Sequence, residues 1–253
     1  MSEIYLTGIG VITPKGIGKG NIFTENKNAQ TIDDINTTKL GMKGLNKFSK
    51  VSKFACIAVG EAYSDAGLKE RISNDPSIST RSGLVIGENL SNLESILALD
   101  ADVKKYGVKN VNPGLFPNTV LNVVAGYTSI YYGIKGINTT ISNSDPSNIN
   151  SLLYAIDLLN NNQLDRVVVC SIALFVPEVF KKLCNQKLES ESVVALILEK
   201  EKIGKSPQLK IKHYNGHHTL LINDEEFTFT DFLGLAKKYT EQSRMEFQTG
   251  YMP

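Results

Sequence analysis

Apolar and polar positions along the chain follow two periods. "EIYLTGIGVI", from Glu3 to Ile12, reads as a β run that stops among Gly8, Gly10 and Pro14. From Lys53 to Leu68, "KFACIAVGEAYSDAGL" places apolar residues at helical spacing, and Gly67 ends that helix. "SGLVIGEN", Ser82 to Asn89, is short and almost wholly apolar, the mark of a strand buried on both faces. The helical "LSNLESILALDADVKKYG" follows it and closes at Gly107. After the turn-rich "VNPGLFPN", the segment Thr119 to Tyr132 predicts a further helix, and "GIKG" leads into a strand at Thr139 to Ser142.

That strand opens the most informative stretch, "GINTTISNSDPSNINSLLYAIDLL", from Gly136 to Leu159. A β-branched strand turns abruptly into an amphipathic helix over about Ser147 to Asn160, with Asp145-Pro146 at the corner. Such a corner aims the free N–H groups and positive end of the helix at the turn and favours an anion there. Asp145 with Pro146 at the first helical position reads as a capped helix start. "LDRVVVCSIALF" supplies another buried strand before "VPEVFKKLC" and the β run "SVVALILEKE". The alternation predicts a layered α/β fold in which helices flank a central mixed sheet. Beyond Lys200 the pattern changes: "QLKIKHYN" and "HTLLINDEEFTF" read as short strands joined by a turn, and "TDFLGLAKKYTEQSR" as a terminal helix capped by Thr230. Residues 1–203 therefore read as one domain and 204–253 as a small C-terminal appendix.

Composition narrows the function classes. The chain has 253 residues, 42% of them hydrophobic, enough for a sizeable core. With 27 basic residues against 26 acidic ones and no long basic run, charge points to no nucleic-acid partner. No apolar run reaches the ~20 residues of a membrane span, and "MSEIYLTGIGVITPKG" lacks the regions of a signal peptide, so a cytoplasmic protein is expected. Cys56, Cys170 and Cys184 form neither a CxxC pair nor a disulfide framework, which suits a reducing compartment.

Candidate chemistry is sparse. Gly8, Gly10, Gly16 and Gly18 do not fall in the spacing of a dinucleotide-binding loop, so no cofactor is expected and the glycines read as sites of close backbone packing. His213, His217 and His218 are the only histidines; their spacing matches no ligand pattern, and no metal is expected. Ser142, Ser144 and Ser147 would act as nucleophiles only with a base in reach, and no histidine is placed in sequence to serve. An acylated Asp145 would be a mixed anhydride, far more prone to hydrolysis than a thioester, so the corner acid does not read as an acyl carrier.

Several ordered stretches resemble the β-ketoacyl synthases of the thiolase-like superfamily. "IYLTGIGVITPKGIG" is similar to their opening strand and turn, "FACIAVGEAYSDAGL" to their first long helix, and "SGLVIGENLSNLES" to the next strand and turn. Most specific is "FPNTVLNVVAGYTSIYYGIKGINTTISNSDPS", which resembles the family's dimer-forming region running into its nucleophile strand and corner. "LDRVVVCSIALF" and "SVVALILEKEK" resemble the strands that complete the N-terminal half. The resemblance covers roughly residues 3 to 202 and implies a thiolase-like half-fold. In the family, the motif starting at Gly136 leads to the reactive cysteine; an ungapped count puts Asp145 there. The catalytic histidines and supporting lysine come from a second half that this chain is too short to contain. The resemblance thus implies no catalytic residue, and a scaffold role beside a ketosynthase-like subunit or an acyl carrier protein. Its alternative is an acyltransferase or malonyl decarboxylase active only with a complementing subunit. A half-fold is also expected to leave apolar surface open to a partner or a second copy.

Overall fold

In the computed structural model, which describes residues 3–23, 30–68, 75–142, 147–184, 188–204, 206–214 and 217–249, the alternation appears as follows. β1 (Ile4–Thr13) and the short β2 (Gly16–Ile17) precede α1 (Lys50–Asp65) and α2 (Pro76–Ser79). β3 (Ser82–Glu88), α3 (Leu93–Tyr106), α4 (Val123–Tyr132) and β4 (Asn138–Ser142) come next. Then follow α5 (Ser147–Asn160), β5 (Arg166–Ala173), α6 (Lys181–Cys184) and β6 (Ser192–Glu199). The remaining elements are β7 (Gln208–Tyr214), β8 (His217–Ile222), β9 (Glu225–Phe227) and α7 (Phe232–Thr249).

One sheet runs in the order β4-β3-β5-β6-β1-β7-β8-β9, with β2 paired beside β1. β3 is parallel to β4 and β5, and the other pairings are antiparallel, so the sheet is mixed as expected. Alternation with period two divides its side chains between two cores. Leu84, Ile86, Val168, Cys170, Val193, Ala195 and Ile197 pack with α1 and α4. Val85, Val167, Val169, Val194, Leu196 and Leu198 pack with α5 and α7 on the other face. Burial on both sides is why these strands read as continuous apolar runs.

β1 departs from simple alternation in a way that fixes its glycines. Its register against β6 shifts between Leu6 and Gly8, a bulge at Thr7, whose hydroxyl donates to the Ile197 carbonyl at 3.3 Å. Ile4 and Leu6 before the bulge, and Ile9 and Val11 after it, all reach the α5/α7 side. Gly8 and Gly10 are thereby turned toward α1. A Cβ at Gly8 would stand 2.3 Å from the Ala62 carbonyl oxygen, and one at Gly10 only 1.8 Å from that of Ala58. These glycines let a helix backbone rest on the strand, the close packing expected of them.

Element ends follow local chemistry. α1 starts before Lys53 because the Ser49 side chain accepts from the Ser52 N–H at 3.3 Å. It stops at Gly67, in the left-handed region at φ 67°, where the Leu68 N–H donates to the Tyr63 carbonyl and the Gly67 N–H to that of Ser64. The helix expected from Thr119 begins only at Val123. Pro113–Thr119 forms a tighter 3-10 turn instead, capped by Asn112 and containing Pro117. At the start of α7, Asp231 replaces the expected Thr230 as cap: it directly precedes the first helical residue, and its carboxylate accepts from the Gly234 N–H at 2.6 Å.

The segment after residue 204 continues the sheet. β7 pairs with Ile4 and Tyr5 of β1, and β8 meets β9 through Asn223 and Asp224, both at positive φ (51° and 66°), in a two-residue hairpin turn. Phe232, Leu235, Ala236 and Tyr239 of α7 are buried in the α5-side core. Lys19 pairs with Asp65 of α1 and lies 5.9 Å from the Tyr239 ring centroid, tying α7 to the other layer. α7 therefore shares with α5 the cover of that sheet face. The exposed large apolar residues include Ile96 and Tyr106 on α3, Phe116 and Val120 at the 3-10 segment, and Ile130 on α4.

Two substitutions test this packing. Gly10→Ala should lower unfolding stability by about 3 kcal/mol, because the obstacle is helix backbone and not a movable side chain. Phe232→Ala should cost about 3 to 4 kcal/mol if α7 belongs to the core. Denaturant titration reads both; a loss within 0.5 kcal/mol of zero, the range of about half a kcal/mol typical of surface changes, would contradict the packing described.

Candidate functional site

The carboxyl ends of β3 and β4 are where the chain's connections part. From β3 the chain passes through α4, on the α1 side of the sheet, to reach β4; from β4 it passes through α5, on the opposite side, to reach β5. Adjacent parallel strands whose connections leave toward opposite faces open a crevice beyond their carboxyl ends, the usual ligand position in such sheets. Here Glu88 of β3 stands opposite Ser142 of β4 and Ile172 of β5. Ser142 is partly buried, and α5 begins at Ser147. Asp145 and Ser144 lie outside the described residues, as do the side chains of Ser147, His213, His217 and His218.

Glu88 was not singled out by the sequence pattern, yet it is the most unusual ionisable group here. It is fully buried; one carboxylate oxygen, Oε2, accepts from the Ser91 N–H at 3.1 Å, while Oε1 has no partner. Burial pushes its pKa up to about 7, opposed only by the Ser91 hydrogen bond. Two further buried oxygens without partners belong to neighbouring segments, Thr140 Oγ1 on β4 and Asn118 Oδ1 in the 3-10 turn. Thr140 stands opposite Ile86, so it and Glu88 face the same side of the sheet. Between Glu88 and α3, Leu90 takes a left-handed conformation at φ 58°, and the Asn92 side chain donates to the Thr119 carbonyl at 2.6 Å.

No described thiol is placed for catalysis at this corner. Cys56 of α1 and Cys170 of β5 sit in the α1-side core, 0% exposed, and burial drives both thiols upward, Cys56 to about 12. The Cys56 sulfur meets Thr128 Oγ1 at 3.6 Å. Cys184 closes α6, outside the strands that form the corner. The strands that carry the histidines stand apart from it: His213 is on β7 and His217 and His218 on β8, with β5, β6 and β1 between β7 and β3. Four strand spacings amount to roughly 19 Å. Among the described residues no group of three His, Cys, Asp or Glu side chains is arranged to hold a metal, and no helix is long and apolar enough to cross a membrane.

A family model described as beta-ketoacyl synthase, N-terminal domain, matches residues 19–195. The 3-oxoacyl-[acyl-carrier-protein] synthase 2 of Coxiella burnetii is 23% identical over 187 residues, covering 66% of this chain and 44% of that protein. Its counterpart from Vibrio harveyi is 26% identical over the same length and shares. The chain thus spans less than half the length of these relatives. Among solved structures, the ishigamide ketosynthase/chain length factor matches with a TM-score of 0.64 at 20% identity, over 81% of this chain and 64% of that one. A ketosynthase in complex with its chain length factor from Xenorhabdus doucetiae matches with a TM-score of 0.58 at 14% identity, over 84% of this chain and 82% of that one. These likenesses establish the thiolase-like fold.

The state of Glu88 gives a pH signature. Its folded pKa lies above the ordinary value of 4.5, so the folded state holds a proton that the unfolded chain gives up first. Stability should therefore be highest below pH 4.5 as far as this group is concerned, fall through the window from 4.5 to 7, and level off above it. Glu88→Gln removes that slope. At pH 8 the variant should be more stable than the parent by about 3 kcal/mol, read by denaturant titration at several pH values. Parallel pH profiles for the two proteins would refute the assignment.

Proposed function

The chain belongs to the β-ketoacyl synthase N-terminal-domain family, and from that premise we propose that it is a non-catalytic partner subunit of a fatty-acid or polyketide-type synthase, acting in the cytoplasm. The reading rests on the corner: an ungapped count puts Asp145 where the family has its cysteine, and the histidines lie strands away. In this reading Asp145 carries no acyl group. In this reading residues 1–203 form the synthase-like half, and 204–253 close it at β1 and beneath the sheet.

Docking to a catalytic synthase subunit takes place at the β4 edge. β4 ends the sheet, and the exposed Ile130, Phe116, Val120 and Ile96 belong to the helices and 3-10 turn that connect β3 to β4. An acyl carrier protein is the second partner in this reading. Between Asp34 and Glu61 the chain carries five lysines and no acidic residue, and Lys39, Lys43 and Lys47 are exposed, which suits an anionic surface.

Intact-mass measurement after incubation with acyl- and malonyl-loaded carrier protein should find no adduct on this chain; a stable acyl adduct would overturn the reading. Co-expression with a ketosynthase from the same genome should give a complex, and Ile130→Asp should weaken it at least tenfold while leaving the fold intact. Asp145→Ala should lower stability by about 1 kcal/mol, as for a lost helix cap, without affecting the complex.

A further inference from the structure

The turn that joins β3 to α3 connects a buried carboxyl to the outer surface. Glu88 ends β3, and its Oε2 reaches over two residues to the Ser91 N–H, bracing a turn that holds Leu90 in the left-handed region. That conformation is unfavourable for a bulky side chain and persists only where neighbouring contacts hold it. Asn92 follows at once and donates to the Thr119 carbonyl, which ties the start of α3 to the 3-10 segment bearing Phe116. α3 in turn carries Ile96 and Tyr106 on its exposed side. A continuous path of two hydrogen bonds and one strained turn thus leads from the core to the apolar surface.

We propose that Glu88 is a positioning residue whose neutral carboxyl clamps the 88–92 turn and the docking face beyond it, and whose ionisation releases both. The clamp depends on Glu88 staying inside. Protonated, the carboxyl leaves one oxygen without a partner but carries no charge. Ionised, it is a fully buried carboxylate held by one backbone N–H, and its relief is to turn out toward water, which breaks the Ser91 contact. The transition falls near neutrality because burial raises it and the Ser91 hydrogen bond offsets only part of that rise. Of the ionisable groups on the elements packed here, Lys50 at the start of α1, Glu94 on α3 and Glu191 before β6 line a small cleft of about 30 Å³ beside Leu90 and Ser91. α4 contributes Tyr127, Tyr131 and Tyr132, and β5 contributes Cys170; none of these acts on the Glu88 carboxyl. Asp145, after β4, lies outside the described residues. The consequence for docking rests on the partner-subunit reading; the response of the turn does not.

Hydrogen exchange on the full chain, corrected for intrinsic rates, tests the clamp at pH 6 and pH 8. Protection of the Ser91 amide and the first turn of α3 should fall about tenfold at the higher pH, and Glu88→Gln should abolish the change. Carbon-13 NMR of the Glu88 carboxyl, which needs no variant, should show a titration midpoint near 7. Asn92→Ala should keep the response at Ser91 but lose it at residues 113–120. Equal protection of the parent at both pH values, or an unchanged fall in Glu88→Gln, would overturn the clamp. If the clamp responds while affinity for the synthase partner stays constant from pH 6 to 8, the link to docking is refuted and the clamp stands.

Discussion

Burial on both faces of β3, β5 and β6 is the constraint from which the rest of the architecture follows. Strands with no polar side need a helical layer above and another below, and each layer must be present for the sheet to leave water. α1 and α4 supply one cover and α5 and α7 the other. The bulge at Thr7 serves the same requirement: without its one-residue shift, Ile4, Leu6, Ile9 and Val11 could not all face α5 and α7 while Gly8, Gly10 and Ile12 faced α1. Part of the cover on the second face comes from a helix more than thirty residues beyond β6.

The corner separates what a topology supplies from what a reaction asks for. Its geometry arises from topology: parallel strands whose connections part to opposite sides leave a crevice at their carboxyl ends regardless of which side chains line it. Acyl transfer asks for more, namely a thiolate or an activated hydroxyl, a base within hydrogen-bond reach, and donors for the developing oxyanion. Cys56 and Cys170 are held protonated in the core, and the histidines stand on the far strands of the sheet. The described residues keep the crevice of a thiolase-like fold, and apolar side chains are exposed on the segments that connect β3 to β4.

Much of this was legible in the sequence because the signals were local. The unbroken apolar run of β3 and the glycines after α1 and α3 declare burial and helix ends without any tertiary information. Where the reading slipped, a competing local choice decided the outcome. Pro113 and Pro117 favoured a 3-10 turn over an early start to α4, and Asp231 capped α7 in place of Thr230 because it stands one residue closer to the first turn. The parity change in β1 could not be seen, since a bulge is defined by the partner strand and β6 lies far along the chain. Glu88 was hidden for the same reason. A glutamate after six residues of strand reads as the strand's exit into solvent, and only tertiary packing, that of α4 on β3 included, turns an exit into an enclosure.

The central place of β1 also governs how the molecule can be made. Tyr5 pairs with Glu199, and Ile4 with Leu209, so β1 must wait for strands that emerge about two hundred residues later. At ribosomal speed that interval is roughly 10 to 40 s. During it β1 has only the two residues of β2 beside it. Such distant pairing makes for slow folding and leaves an apolar strand in need of temporary shelter. The glycines at 8 and 10, which admit α1 so closely, give the early chain a local refuge: α1 can settle on β1 long before β6 exists.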